Sequence, residues 1–124
     1  MSPIHVIFYD LPDGTMPAAE FIAGLPPKLK AKTLRTVQLL RDNGITLREP
    51  YSKHLDDGIF ELRAKVSTNI TRVLYFFFAG GTAVLTNGFV KKTQKTPPEE
   101  LQKAKGYRAE FLGRKENRNE QEKG

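Results

Sequence analysis

Cysteine is absent from the 124 residues. That excludes disulfides and thiolate metal sites and suits a reducing compartment, so the chain reads as cytoplasmic. Histidine is nearly absent too: only His5 and His54 are present, and no acidic cluster accompanies them. This argues against a metal site and gives no reason to expect a cofactor. Long hydrophobic runs are missing. The longest wholly apolar stretch, Val73 to Ala79, is far too short to cross a bilayer, so no membrane partner is expected. "MSPIHVIFYD" has no basic region ahead of its apolar residues and does not read as a signal peptide. No internal repeat is visible.

What is present is the composition of one globular domain. Apolar residues make up 39% and charged residues 27% of the chain, ordinary values for a chain able to bury a modest core. The formal net charge is +6, which favours an anionic partner. The charge is clustered. Residues 1–24 contain Asp10, Asp13 and Glu20 and no lysine or arginine, whereas Lys28, Lys30, Lys32, Arg35, Arg41 and Arg48 face only Asp42 in the segment 28–48.

Residues 3–9, "PIHVIFY", read as a strand closed by the turn residues "DLPDG", with Pro3 marking a strand start or a sheet edge. His5 is expected to pack within this strand. A short helix fits "MPAAEFIAGL", and a longer one opens at Pro26-Pro27. In that helix Ala31, Leu34, Val37 and Leu40 recur at helical spacing, Lys28, Lys32 and Arg35 form the opposite face, and Gly44 is placed to end it. Three strand-like runs follow the polar segment "REPYSKHLDDG": Ile59–Val66, Ile70–Phe78 and Thr82–Val90. Their short connections predict an antiparallel meander. "TPPE" at Thr96 to Glu99 is a helix start, and the pattern runs on to Gly113 despite Gly106. The expected organisation is one domain over 1–113 and a frayed polar tail over 114–124. The order β-α-α-β-β-β-α gives an α+β fold with helices over one side of the sheet.

Glu61, Arg63 and Lys65 alternate with an apolar set along the first meander strand. A two-residue turn at Thr68-Asn69 would set Lys65 opposite Arg72. A three-residue turn would drive Arg72 into the apolar face, where an unpaired guanidinium is costly. The first register collects Arg63, Lys65 and Arg72 near Glu61. Such a cluster suits an anion, and equally a solvated face that Glu61 partly neutralises. "FVKKTQK" leads from the last strand into a helix N-terminus. There Lys91, Lys92 and Lys95, with Thr93 and Gln94, form either a phosphate-binding loop or a basic loop that merely caps its helix. Lys53 and His54 lie in the preceding polar segment, where His54 is a candidate acid or base. The run Tyr75-Phe76-Phe77-Phe78 reads as core.

"GIFELRAK", "TRVLYFF" and "AVLTNGFVKKTQKTPPEELQKA" together resemble the RelE/ParE toxin superfamily, and its HigB-like, phage-derived branch in particular, over roughly residues 3–112. The resemblance implies a RelE-like fold and the toxin of a type II toxin–antitoxin pair. It implies an endoribonuclease that cuts mRNA on the translating ribosome without a metal or cofactor, and an antitoxin partner of helix-turn-helix type. By position it makes Arg63, Arg72, Lys91 and Lys92 catalytic, with Lys65, Lys95, Thr93, Gln94, Lys53 and His54 as substrate-binding candidates. The implied chemistry is attack of a ribose 2′-oxygen on the adjacent phosphate. Arg63 and Arg72 would clamp phosphate oxygens while Lys91, Lys92, Glu61 or His54 moves protons. Family members with lysines near the positions of Ile59 and Glu61 do not pass on their base directly, because this chain lacks it there. Two other functions fit the same residues: a ParE-like inhibitor of DNA gyrase, and a non-catalytic basic module that binds nucleic acid.

Overall fold

The computed structural model describes residues 3–91 and 95–123, with side chains for all of these except 91 and 118–123. The elements run β1 (His5–Phe8), α1 (Pro17–Ala23), α2 (Pro27–Asn43), a 3-10 turn (Gly44–Thr46), β2 (Ser52–Asp56), β3 (Ile59–Val66), β4 (Asn69–Phe78), β5 (Thr82–Lys91) and α3 (Pro98–Lys123). The α+β class and the element order stand, with one strand added. The strands form one five-stranded sheet in the order β1-β5-β4-β3-β2. β1 runs parallel to β5, and β2 to β5 are antiparallel neighbours.

The missed strand, β2, lies in the segment expected to be a polar loop. It pairs with β3 through a two-residue turn at Asp57-Gly58, both with positive φ (51° and 75°). Two left-handed residues give the turn whose twist matches a hairpin. The β3–β4 hairpin turns at Ser67-Thr68, with Ser67 at φ 56° and Val66 opposite Asn69. This moves the expected register by two residues, so Arg63, and not Lys65, faces Arg72. A shift of two keeps every side chain on its face, and Arg63, Lys65 and Arg72 do share one.

Helices cover both faces of the sheet, not one. On one face α1 and α2 bury Ala18, Ile22 and Leu40 against Leu62, Val73, Tyr75, Ala83 and Leu85. On the other, Ala104 and Phe111 of α3 pack on Tyr9, Ile59, Leu74, Phe76 and Val84. From Val73 to Phe78, β4 is therefore apolar in both directions, as a doubly covered strand is. The aromatic run of β4 lies in these two cores, with Tyr75 and Phe76 fully buried.

The buried stripe of α2 differs from the expected one. Leu29, Thr33, Thr36 and Leu40 face the sheet, while Leu34 and Ala31 are exposed. Two threonines can be buried because their hydroxyls are satisfied. Thr33 donates to the Leu29 carbonyl at 2.7 Å and lies 2.7 Å from the Thr71 hydroxyl, and Thr36 donates to the Lys32 carbonyl at 3.0 Å. Gly44 closes the helix at φ 57°, as expected. His5, expected to pack, is exposed because β1 is an edge strand.

The helix expected to end near Gly113 continues to Lys123. Arg114, expected to open a polar tail, is tied to the body of the protein. It donates to the Asp10 carbonyl at 2.6 Å and to Glu110 at 2.8 Å, and lies over the Tyr9 ring. These partners are more than a hundred residues away or one helical turn back, so the polar composition alone did not reveal them.

Candidate active site

Period-two alternation puts Glu61 and Arg63 on the α3 face of β3, and the hairpin register sets Arg72 of β4 directly across from Arg63. Two guanidinium groups facing each other across a sheet repel. The Glu61 carboxylate lies between them. Its Oε1 accepts from Arg63 Nε at 2.5 Å, and its Oε2 lies 3.6 Å from Arg72 Nη1. Thr96 completes the group: its hydroxyl donates to Glu61 Oε2 and stands 3.5 Å from Arg72 Nη1. The hydroxyl expected to cap α3 is thus committed to Glu61.

The four residues differ sharply in exposure. Glu61 and Arg72 are enclosed, at 0% and 1%, whereas the Arg63 side chain retains 19%. Arg72, expected as a solvent-facing phosphate clamp, is a buried cation. The hairpin register keeps it off the α1–α2 face, and Thr96, just ahead of α3, meets it on the other. Burial of a charge is tolerated when a counter-charge and hydrogen bonds accompany it; Glu61 supplies the counter-charge, and the Thr96 hydroxyl accepts from Arg72 Nη1.

Arg63 is the member that reaches solvent. It lines a cleft of about 270 Å³ together with Lys53, His54, Lys95, Thr96 and Leu101. Lys53 lies opposite Glu61 in the β2–β3 register, which brings it to the same face. His54 pairs with Phe60 and packs edge-on against its ring at 5.0 Å. Its Nε2 accepts the Gly58 amide at 3.2 Å, so that lone pair is engaged inside the hairpin. Glu61, with both carboxylate oxygens in ion pairs and hydrogen bonds, is likewise no free base.

The sequence-derived site is therefore divided. His54 borders the cleft, but its ring packs on Phe60 on the α1–α2 face, so only Arg63, Lys53 and Lys95 come together there. Lys65 shares their face but lines a neighbouring groove with Arg63. Lys91 ends β5 opposite Ile70, and Lys92, Thr93 and Gln94 lie outside the described residues. The positive end of α3 is answered in its first turn by Glu99 and Glu100, which weakens the case for that terminus as an anion site. Thr96 was legible only as a helix cap, since nothing local signals that it reaches β3.

The start of α3 is fixed by an irregularity in β5. The pairing shifts between Leu74 and Tyr75, leaving Thr86 unpaired in the register. Thr86 bonds Asn87 at 2.7 Å, and the Asn87 amide donates to the backbone and side chain of Glu100, both at 3.1 Å. A bulge of this kind re-aims a side chain, and here it aims Asn87 at the first turn of α3.

Residues 20–108 match the family model of the Gp49-like phage-derived proteins (DUF891). The chain belongs to this family. The Gp49-like family is grouped with the RelE/HigB-like toxins, in agreement with the α+β fold, and a toxin-like family implies an antitoxin partner. No curated protein matches the chain. Among the described residues, no helix of this Gp49-like protein is long and apolar enough to cross a membrane, and no group of three or more histidine, cysteine or acidic residues could hold a metal.

Proposed function

We propose that this Gp49-like protein is the toxin of a toxin–antitoxin pair and cuts mRNA on the translating ribosome, its antitoxin being of helix-turn-helix type. The observation that carries the reading is Arg63: a guanidinium fixed through Nε by a buried carboxylate, on a side chain that keeps 19% exposure and lines a cleft flanked by Lys53 and Lys95. A guanidinium fork held in this way suits two oxygens of a phosphate, and holding it beforehand removes reorganisation from the reaction step.

In the proposed reaction the ribose 2′-oxygen attacks the adjacent phosphorus as its proton is removed. The P–O5′ bond breaks and O5′ takes a proton, leaving a 2′,3′-cyclic phosphate and a 5′-hydroxyl. Arg63 and Lys95 carry the negative charge that builds on the phosphate. Arg72 acts from behind, balancing Glu61 so that this carboxylate orients Arg63 without making the cleft anionic. Proton transfer falls to the lysines of segment 91–95, because Glu61 and His54 are engaged elsewhere. Loss of one preorganised charge donor typically lowers a rate by about a hundredfold to a thousandfold.

Induced expression followed by mapping of mRNA 5′ ends tests the reading. New 5′-hydroxyl ends are expected within minutes, and Arg63→Ala is expected to abolish them while retaining a cooperative melt. Intact mRNA accompanied by DNA breaks would overturn the reading in favour of gyrase inhibition.

A further inference from the structure

β3 is longer than the strand that borders it. The β2 pairing reaches Ser52 opposite Leu62, and the Arg63 amide donates to the Tyr51 carbonyl at 2.8 Å. Beyond that point β3 runs on to Val66 with no strand on its outer side among the described residues. The bare edge opens into a groove of about 370 Å³ whose walls include Lys32 and Thr36 of α2, Tyr51, and Arg63, Lys65 and Ile70 of the sheet. Three of its residues are cations and none is acidic. Tyr51 is 43% exposed. Arg63 lines both this groove and the cleft at Lys53 and Lys95, so the two depressions adjoin at one residue of β3.

We propose that the groove binds the nucleotide next to the scissile phosphate of a single-stranded RNA, with its base stacked on Tyr51 and its phosphates held by Lys65 and Lys32. This rests on the reading of Arg63 as the phosphate-binding group of the cleft. Arg63 and Lys65 are two residues apart on one face of a strand, a separation of about 7 Å, comparable to one step of an extended nucleic-acid backbone. An aromatic face beside a track of cations is what single-stranded nucleic acid requires: stacking for bases of any sequence and charge for the backbone. Pro50, Ala64 and Ile70 supply its aliphatic contacts, and the three cations beside them favour an anionic occupant over an apolar peptide.

Binding of a fluorescent, fully 2′-O-methylated RNA oligonucleotide at low salt tests the site without cleavage, because the probe lacks a free 2′-hydroxyl. Wild-type protein is expected to bind it, Tyr51→Ala about tenfold more weakly, and Tyr51→Phe nearly as well as wild type. Lys65→Gln is expected to lower the slope of log affinity against log salt by about 0.7. It provides a second readout if Tyr51→Ala melts abnormally. His5→Ala, on the opposite sheet edge, is expected to bind as wild type. A wild-type protein that ignores the probe, or a folded Tyr51→Ala that binds it undiminished, overturns the groove. A protein that binds the probe through Tyr51 but leaves cellular mRNA intact keeps the groove and overturns the cleavage reading.

Discussion

The two faces of the sheet are built from the same strands and solve different problems. Towards α1 and α2, β3 and β4 present Leu62, Val73 and Tyr75, a packed apolar layer whose polar insertions, Thr33 and Thr71, bond each other. Towards α3 the same strands present Ile59, Leu74 and Phe76 at one end and Glu61, Arg63 and Arg72 at the other. Strand alternation alone permits this asymmetry. One face anchors the fold by burial, which is non-directional. The other holds charges at fixed distances, and that works only if every member of the group is present.

Removing Glu61's charge should break the second face first. Glu61→Gln removes the carboxylate charge 3.6 Å from Arg72, itself buried at 1% exposure, and breaking a buried pair on one side costs about 3–5 kcal/mol. Denaturant titration should show that loss, with the slope unchanged. Glu61→Leu combined with Arg72→Met should recover most of the stability and none of the RNA cleavage, since replacing both charges with apolar groups is often neutral. A single Glu61→Gln variant as stable as wild type would show that the charges are balanced by other groups.

The apolar face has its own pH signature. Tyr75 is buried there, and its hydroxyl hydrogen-bonds Ser52. Burial pushes the Tyr75 pKa up to about 12, against opposite pulls from the Ser52 hydrogen bond and the Arg48 charge. A raised folded-state pKa means that the contribution is complete below the unfolded value near 10 and is lost as pH rises through about 12. Two pH units correspond to about 2–3 kcal/mol. Tyr75→Phe should reduce the alkaline limb of the stability profile between those values without abolishing it, because burial and the Glu110 hydrogen bond also push Tyr9, on the α3 face, up to about 12; an unchanged limb would assign it to Tyr9 alone.

A third perturbation tests how closely α1 lies on the sheet. A Cβ on Gly88 would stand 2.3 Å from the Phe21 ring. Gly88→Ala must displace that ring, and overpacking of this kind costs about 1–3 kcal/mol. The paired variant Gly88→Ala/Phe21→Leu should regain part of the loss in thermal melts if the clash is the cause.

The apolar face was the more legible in sequence. The spans Ile59–Val66, Ile70–Phe78 and Thr82–Val90 fall within one residue of the observed strands, because length and β-branched content mark them. The face shared by Arg63 and Arg72 was also readable, since a hairpin register off by two residues leaves faces unchanged. Burial of Arg72 was not, because what covers it arrives from Thr96, more than twenty residues downstream. β2 escaped notice because Lys53 and His54 give it no apolar alternation, although the Asp57-Gly58 pair carried a hairpin signal. In α2, two threonines bonded to carbonyls and to β4 displaced the stripe that apolar spacing indicated.

The smallest effect is expected where the geometry looks as good as at Glu61 but the medium differs. Lys105 Nζ lies 2.6 Å from Asp56 Oδ2, nearly the same length as the Arg63–Glu61 contact, yet 59% of the Asp56 side chain is exposed. The Lys105 hydrogen bond holds the Asp56 carboxyl below its ordinary range. Any stability it lends is therefore present above that range and fades as pH falls through the lowered value. In water the attraction is screened, and ordering two side chains offsets much of it. Lys105→Gln should leave the melting midpoint within about 2 °C of wild type, and the difference should vanish in molar salt. A larger, salt-insensitive drop would mean that this pair, like Glu61 and Arg72, is shielded from solvent, and the contrast between a surface pair and a buried one would no longer hold.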